Sequence, residues 1–285
     1  ALFEVGVSSL LASESFQALN YSTVEDVTVR GGQGNDVFIS DDTATTLNIY
    51  GNQGDDQFYI GSILEVEDVL VEGQEVTVAI EVTQGASYEM NFYGGDDDDY
   101  FEVSHNAAEI NLYGDNGDDT FFLKALLTLD EENNKTFDLV GKKTNVNAGK
   151  QAQYDNAGNQ VEDKTDTREV DVDALVYVEN ANVSINGGAG FDSVAVVGTA
   201  LSDTFYVWSE ESDTSDDKIT RIFGAGIKLS KMVNIERLML LTGGGDDRVY
   251  INGLNLGDNA DMVINLGSGS DQVFVGDMID FIANY

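Results

Sequence analysis

Short segments rich in glycine and aspartate recur along the chain, and these residue types bind hard divalent cations. In the clearest copies an aspartate ends a glycine turn, as in residues 31–36 (GGQGND) and 51–56 (GNQGDD). Glycine permits positive φ and turns backbone carbonyl oxygens inward, while the aspartate adds a carboxylate. Ca²⁺ takes about six to eight such oxygens, which is more than one turn supplies. The pattern therefore predicts several Ca²⁺ ions, each shared between neighbouring turns.

The candidate metal ligands share one position, an aspartate that directly follows a turn. They are Asp36, Asp56, Asp99, Asp119 and Asp192 in the clearest copies, and Asp203, Asp247 and Asp271 in looser copies. The glycines expected to shape the sites are Gly31, Gly34, Gly51, Gly54, Gly114, Gly117, Gly187 and Gly190. Carboxylates stacked about 4.8 Å apart would repel by about 3 kcal/mol at an effective dielectric of ~20. A cation between them is favoured over a halophile-type surface of hydrated acids, because these acids stand at fixed places after glycines.

The elements that must position these turns are short strands. Asp36 and Asp56 are 20 residues apart, and so are Asp99 and Asp119. Each interval holds two apolar runs with period-2 alternation, separated by a second polar turn. We therefore predict an all-β fold, a parallel β-solenoid (β-roll or β-helix) with coils of about 20 residues. The intervals of 43 residues (Asp56 to Asp99) and 44 residues (Asp203 to Asp247) are each interpreted as two coils.

Stacked coils would align equivalent residues in ladders along the axis. The inward aromatic ladder is predicted at Phe38, Phe58, Phe101 and Phe121. An outward ladder of amides is predicted at Asn48, Asn91 and Asn111, with a further aromatic row at Tyr50, Tyr93 and Tyr113.

The turn pattern resembles the repeats-in-toxin (hemolysin-type) nonapeptide, G-G-x-G-x-D-x-U-x. The resemblance implies that each ion lies between successive turns, with the aspartates above at the ligand position and the glycines above at the turn positions. Departures occur at Asn52 and Asp115, which replace the second residue, and at Asp97, which replaces the second glycine. Because the calcium-like turn comes once per coil, we expect one row of ions. Such repeats are typical of large bacterial adhesins and surface-layer or biofilm proteins, which implies an extracellular or cell-surface location.

Four segments are expected along the chain. Residues 1–25 form an N-terminal cap, residues 26–123 a calcium-binding solenoid, residues 124–180 an insertion, and residues 181–285 the solenoid's continuation. The stretch 124–168 holds seven of the fourteen Lys and Arg residues. We predict that it projects as a loop or hairpin, either as a tolerated surface insertion or as a contact to an acidic neighbouring copy.

Composition excludes several classes of function. A formal net charge of −38 disfavours nucleic acid and anionic membrane as partners. The chain has no Cys and a single His, His105, so disulfides and His-based zinc hydrolysis are excluded. No apolar run approaches the roughly 20 residues of a spanning helix, so direct membrane insertion is not expected.

The sequence favours a non-enzymatic, calcium-dependent structural or adhesive module of a large secreted or surface protein, folding on Ca²⁺ binding. Expected partners are calcium, neighbouring copies of the chain and cell-surface polysaccharide. The alternative is a carbohydrate-active or polysaccharide-binding parallel β-helix, in which Trp208 and the tyrosine row would stack on sugars. A third possibility is the secretion and folding segment of an exported protein.

Overall fold

A computed structural model describes residues 24–130, 168–211 and 218–276, apart from Asp42, Gln84, Asn255 and residues 257–259. Most of the expected N-terminal cap and residues 131–167 of the insertion lie outside the described residues. The described strands are β1 (Asp26–Gln33), β2 (Val37–Ser40), β3 (Thr46–Gln53), β4 (Gln57–Ile60), β5 (Ile63–Val71), β6 (Gln74–Val82), β7 (Met90–Asp96), β8 (Tyr100–Val103), β9 (Ile110–Asn116), β10 (Thr120–Lys124), β11 (Leu127–Leu129), β12 (Arg168–Glu169), β13 (Leu175–Tyr177), β14 (Val183–Ala189), β15 (Ser193–Val197), β16 (Thr204–Glu211), β17 (Lys218–Gly224), β18 (Ile227–Val233), β19 (Arg237–Leu241), β20 (Arg248–Asn252), β21 (Asp261–Asn265) and β22 (Gln272–Val275). A short 3₁₀ helix, Val172–Ala174, precedes β13.

Two large sheets account for most of the strands. The first has ten strands in the order β1-β3-β7-β9-β14-β18-β17-β16-β20-β22, and the second has seven in the order β2-β4-β8-β10-β15-β19-β21. The chain alternates between them, so that a strand of the first sheet and the following strand of the second form one repeating unit. Equivalent strands of successive units pair in parallel, as where Asn48 lies opposite Asn91 and Phe58 opposite Phe101.

A single core fills the space between the two large sheets. Inward residues of both sheets belong to one buried cluster, and the Phe58 and Phe92 rings meet edge to face across it, with centroids 6.0 Å apart. Parallel pairing without a register slip stacks identical side chains, which confirms the predicted ladders. The rings of Phe58 and Phe101 stack at 4.6 Å. Outside, the Asn91 amide donates to the Asn48 Oδ1 at 3.0 Å. The all-β prediction is therefore confirmed.

The long intervals have a different origin from the predicted one. Asp56 and Asp99 belong to directly paired units, so the interpretation of their interval as two coils is wrong. The additional residues form the antiparallel hairpin β5–β6, which joins β11, β12 and β13 in a third, five-stranded sheet. This sheet encloses its own core, which includes Val69, Val78 and Leu127. Strands β11, β12 and β13 of the expected 124–180 insertion thus share a sheet with residues 63–82, and the 26–123 segment is not uniform.

The first sheet departs from its parallel pattern once. Strand β17 pairs antiparallel with β16 on one side and with β18 on the other, so the three strands form a meander inside the sheet. This meander supplies the additional length between Asp203 and Asp247, so that β16 pairs directly with β20 and the two-coil interpretation fails here as well. Within the described ranges, no helix has the length and apolarity needed to cross a membrane.

Candidate metal centre

The five clearest aspartates form a row along one edge, at the turns that lead from the first sheet to the second. Each backbone N–H in the row donates to the Oδ1 of the next unit's aspartate. The N···O distances are 2.7 Å from Asp36 to Asp56, 2.8 Å from Asp56 to Asp99, 2.9 Å from Asp99 to Asp119 and 2.9 Å from Asp119 to Asp192. All except the half-buried Asp36 are almost fully buried. The fold thus brings together the five sequence-predicted ligands, one per unit.

The second carboxylate oxygen of each aspartate in this row is buried without a hydrogen-bond partner. These atoms are the Oδ2 atoms of Asp36, Asp56, Asp99, Asp119 and Asp192. A buried, unsatisfied charged group is expensive, so the charge must be neutralised by a cation or a proton. Burial raises the pKa of Asp99 to about 8, that of Asp119 to about 7 and that of Asp192 to about 6.

The first glycine of each turn makes room for these oxygens. An added Cβ at Gly51 would lie less than 3.0 Å from the Asp56 Oδ2 and from the carbonyl oxygen of Gly94 in the next unit. The same two kinds of oxygen crowd Gly31, Gly94, Gly114 and Gly187. A carboxylate oxygen and a carbonyl oxygen from adjacent units therefore converge beside each glycine. Both are oxygen types that Ca²⁺ prefers, so the residues present fit this ion.

The second glycine has a different role, which is the one expected for a left-handed turn. Gly34, Gly54, Gly117 and Gly190 have φ of 98°, 115°, 143° and 147°. Asp97 takes this position in its own turn with φ 78°, and its carboxylate accepts from the Gly54 N–H at 3.2 Å. The turn thus accommodates a side chain here, and the aspartate links its turn to the turn of the neighbouring unit.

The three looser copies lie on the opposite edge, at turns that lead from the second sheet back to the first. The Asp203 N–H donates to the Asp247 Oδ1 at 2.8 Å, and the Asp247 N–H to the Asp271 Oδ1 at 3.0 Å. Acidic turns therefore occupy both edges, in different parts of the chain, rather than one edge as the 20-residue spacing suggested. The edge changes at Asp203, because this turn follows β15 of the second sheet.

Asp203 differs from the other aspartates because both its oxygens are satisfied. Its Oδ1 accepts from the Tyr177 hydroxyl at 2.6 Å, and its Oδ2 accepts from the Thr199 N–H at 2.5 Å. Among these three aspartates, Asp247 is the one whose buried Oδ2 lacks a partner. Asp203 is therefore a weak candidate ligand, and Asp247 the better one.

Two residues that contact these aspartates were not predicted from the sequence. The Glu236 Oε2 accepts from the Asp192 N–H at 2.9 Å, so Glu236 continues the first row. Its only signal was an acid separated by one residue from the apolar run 238–241, without glycines. Tyr177, which binds Asp203, lies 26 residues earlier in the chain and had no signal at all.

A second, outer row of acids flanks the first one. The Asp118 N–H donates to the Asp98 Oδ1 at 2.8 Å, and the Phe191 N–H to the Asp118 Oδ1 at 2.8 Å. These acids are solvent-accessible and hold the turns in register by themselves. In the ranges that the structure describes, no three His, Asp or Glu side chains cluster as a metal site. Comparisons with protein-family models, curated proteins and solved structures found no match.

Proposed function

We propose that this protein is a calcium-dependent structural and adhesive module that acts outside the cell, with its two large sheets forming a parallel β-solenoid of the repeats-in-toxin kind. The observation that carries the proposal is the row of buried Oδ2 atoms without a partner, from Asp36 to Asp192. Each stands beside a carbonyl oxygen of the next unit. Calcium, when bound, supplies the positive charge that such oxygens lack.

The proposed ligands are one carboxylate per unit together with turn carbonyls. In each unit the aspartate Oδ1 holds the neighbouring N–H, and the Oδ2 is left for a cation. Cation binding and the stacking of units would then be one event, because the two oxygens beside Gly51 come from different units. The same event would relieve the repulsion within a chain of net charge −38.

An extracellular setting follows from the expected affinity. Sites of this type in extracellular modules bind Ca²⁺ at about 10⁻⁴–10⁻³ M, a concentration found outside cells. In the low calcium of a cytosol the acidic turns would repel one another, which would keep the chain loose for export. No residue is proposed to act in catalysis, since the role of the acids is to bind a cation and hold adjacent turns.

The test is a titration of metal-free protein with calcium, monitored by far-ultraviolet circular dichroism and by calorimetry. We expect a reduced strand signal and a lower melting temperature in chelator, both restored by Ca²⁺, with several ions bound per chain and Mg²⁺ much less effective. A spectrum that is the same in chelator and in calcium, with no heat of binding, would overturn the proposal.

A further inference from the structure

A groove on the solvent face of the first sheet contains no residue of the row from Asp36 to Asp192, although Tyr177, which donates to Asp203, is part of its lining. Its volume is about 810 Å³, and its lining includes Tyr206, Trp208, Glu210, Arg221, Phe223 and Lys228. The groove lies on the antiparallel meander β16–β17–β18, where the repeat is interrupted. The repeating turns therefore do not account for this surface.

The floor of the groove is a group of outward aromatic rings. Strand alternation buries Phe205, Val207 and Ile222 in the core and turns Tyr206, Trp208 and Phe223 outward, where they are half-exposed. The Trp208 and Phe223 rings stack with centroids 5.3 Å apart and planes 20° apart. Half-exposed aromatic rings in a concave site offer a flat apolar surface to a ligand.

The charged residues of the groove are matched in pairs. The Arg221 Nε donates to the Glu210 Oε1 at 2.9 Å, and the Lys228 Nζ lies 2.8 Å from the Glu179 Oε2. The four side chains are partly exposed, so they can also reach a ligand. The groove thus adds no net charge of its own to a strongly acidic molecule.

This combination selects a class of ligand. Phosphate-bearing and uronate-bearing molecules are repelled by the net charge of −38. Cations find stronger partners at the acidic turns. A neutral sugar has an apolar ring face that packs on aromatic rings, and hydroxyls that pair with carboxylate acceptors and guanidinium donors.

We propose that this groove binds a neutral oligosaccharide, with sugar rings against the Trp208–Phe223 floor and hydroxyls on Glu210 and Arg221. The proposal gives a ligand class to the adhesive part of the proposed function and rests on that part. It uses none of the carboxylates proposed to bind calcium in the row from Asp36 to Asp192.

Trp208 is the single tryptophan of the chain, so intrinsic fluorescence reports directly on the groove. The full chain is titrated with cellohexaose, maltohexaose and chitohexaose, and with a hexamer of galacturonate as the acidic probe. We expect at least one neutral hexamer to shift the emission in a saturable way. Phe223→Ala should weaken that binding by about tenfold or more, since a tenfold change corresponds to the loss of about one stacking contact. Trp208→Ala should do the same when binding is followed by calorimetry.

The matched control is Tyr113→Ala, which shortens the other aromatic row and should leave the affinity unchanged. Circular dichroism of every variant in calcium shows whether a loss of sugar binding is caused by a loss of folding. Failure of this proposal is therefore a folded protein that binds no sugar, whereas failure of the calcium proposal is a fold that does not respond to calcium. Absence of binding by all three neutral hexamers to folded protein would overturn the inference. It would be overturned equally by tighter binding of the galacturonate hexamer, or by a Phe223→Ala variant that binds as tightly as the original chain.

Discussion

At the residue scale, the two carboxylate oxygens of one aspartate per unit have distinct roles. Its Oδ1 is a structural acceptor for the neighbouring N–H, as between Asp56 and Asp99 at 2.8 Å. Its Oδ2 is buried without a partner. A halophile-type acid in water would lack the second feature, because hydrated carboxylates are exposed and satisfied by solvent. The burial is therefore the physical argument for a cation at these turns.

Asp99→Asn should have opposite effects with and without calcium. Asparagine keeps the acceptor for the Asp56 N–H, removes the buried charge, and places an amide donor near the Gly114 carbonyl oxygen. In chelator we expect the free energy of unfolding to rise by about 1–3 kcal/mol, the cost of an unsatisfied buried group. In calcium we expect a smaller gain in stability than the original chain shows. Urea denaturation in both conditions measures this reversal.

The control for Asp99→Asn is Asp98→Asn, the exposed neighbour in the outer row. That change should alter stability by no more than about 0.5 kcal/mol in either condition, as is usual for surface sites. If Asp99→Asn destabilised the metal-free protein, the buried carboxylate would have to be ionised and satisfied by some other group.

Gly94 and Gly34, which differ in the space around them, should respond differently to alanine. Gly94→Ala places a Cβ against the Asp99 Oδ2 and the Gly114 carbonyl oxygen, so we expect a loss of about 3 kcal/mol from overpacking together with a weakened calcium response. Gly34→Ala meets no atom within 4 Å and should cost only about 1–2 kcal/mol of backbone strain, with calcium binding retained. Calcium titrations of both variants compare them, and equal responses would contradict the distinction.

At the scale of elements, the two hydrophobic cores have different roles. The large core between the first and second sheets sets the spacing of the aspartate row, because Phe101 stacks between Phe58 at 4.6 Å and Phe121 at 4.8 Å. The third sheet packs around a separate core that contains Val78 and Leu127. The third sheet is thus an attachment to the repeating units rather than a part of their pattern.

The sequence predicted the elements whose signal is local and repeated. Period-2 alternation and the 20-residue spacing located the Phe and Asn ladders and the first aspartate row. The third sheet could not be predicted, because β5 and β6 pair with strands more than 40 residues later and their pairing leaves no motif. The location of Asp203 on the opposite edge could not be predicted either, since it depends on which sheet the preceding strand joins. The glycine pattern predicted the positions of the candidate ligands, whereas the pairing of distant strands determines which turns are adjacent.

Substitutions in the two cores should separate their roles. Phe101→Ala is expected to lower the free energy of unfolding by about 3–5 kcal/mol and to weaken calcium binding, because it loosens adjacent units. Val78→Ala should lower it by about 2 kcal/mol while the calcium titration stays unchanged. Urea denaturation combined with calorimetry checks both effects. A Val78→Ala variant with calcium binding as impaired as that of Phe101→Ala would show that the third sheet supports the row.

At the scale of the whole molecule, charge and fold oppose each other unless cations or protons are bound. The formal net charge is −38, and the rows place acids from successive units next to one another. Burial raises the pKa values of Asp99 and Asp119 above their ordinary range, and such shifts make stability depend on pH. Under the calcium proposal, the same oxygens would bind protons at low pH and a divalent cation at high pH.

The metal-free chain should accordingly lose stability as pH rises. In the folded state the pKa of Asp99 is about 8 and that of Asp119 about 7, whereas an unfolded aspartate titrates near about 3.9. The folded state therefore binds more protons between these values, its extra stability is complete below about pH 4, and it is lost as pH rises to about 8. Calcium competes for the same oxygens, so in calcium the decline between pH 5 and pH 8 should be abolished or reversed. Thermal denaturation at both pH values, with and without calcium, measures this. The double variant Asp99→Asn, Asp119→Asn should flatten the metal-free profile, which separates these two groups from general repulsion. A metal-free melting temperature that rises from pH 5 to pH 8 would mean that the inner row is already ionised and compensated without a cation.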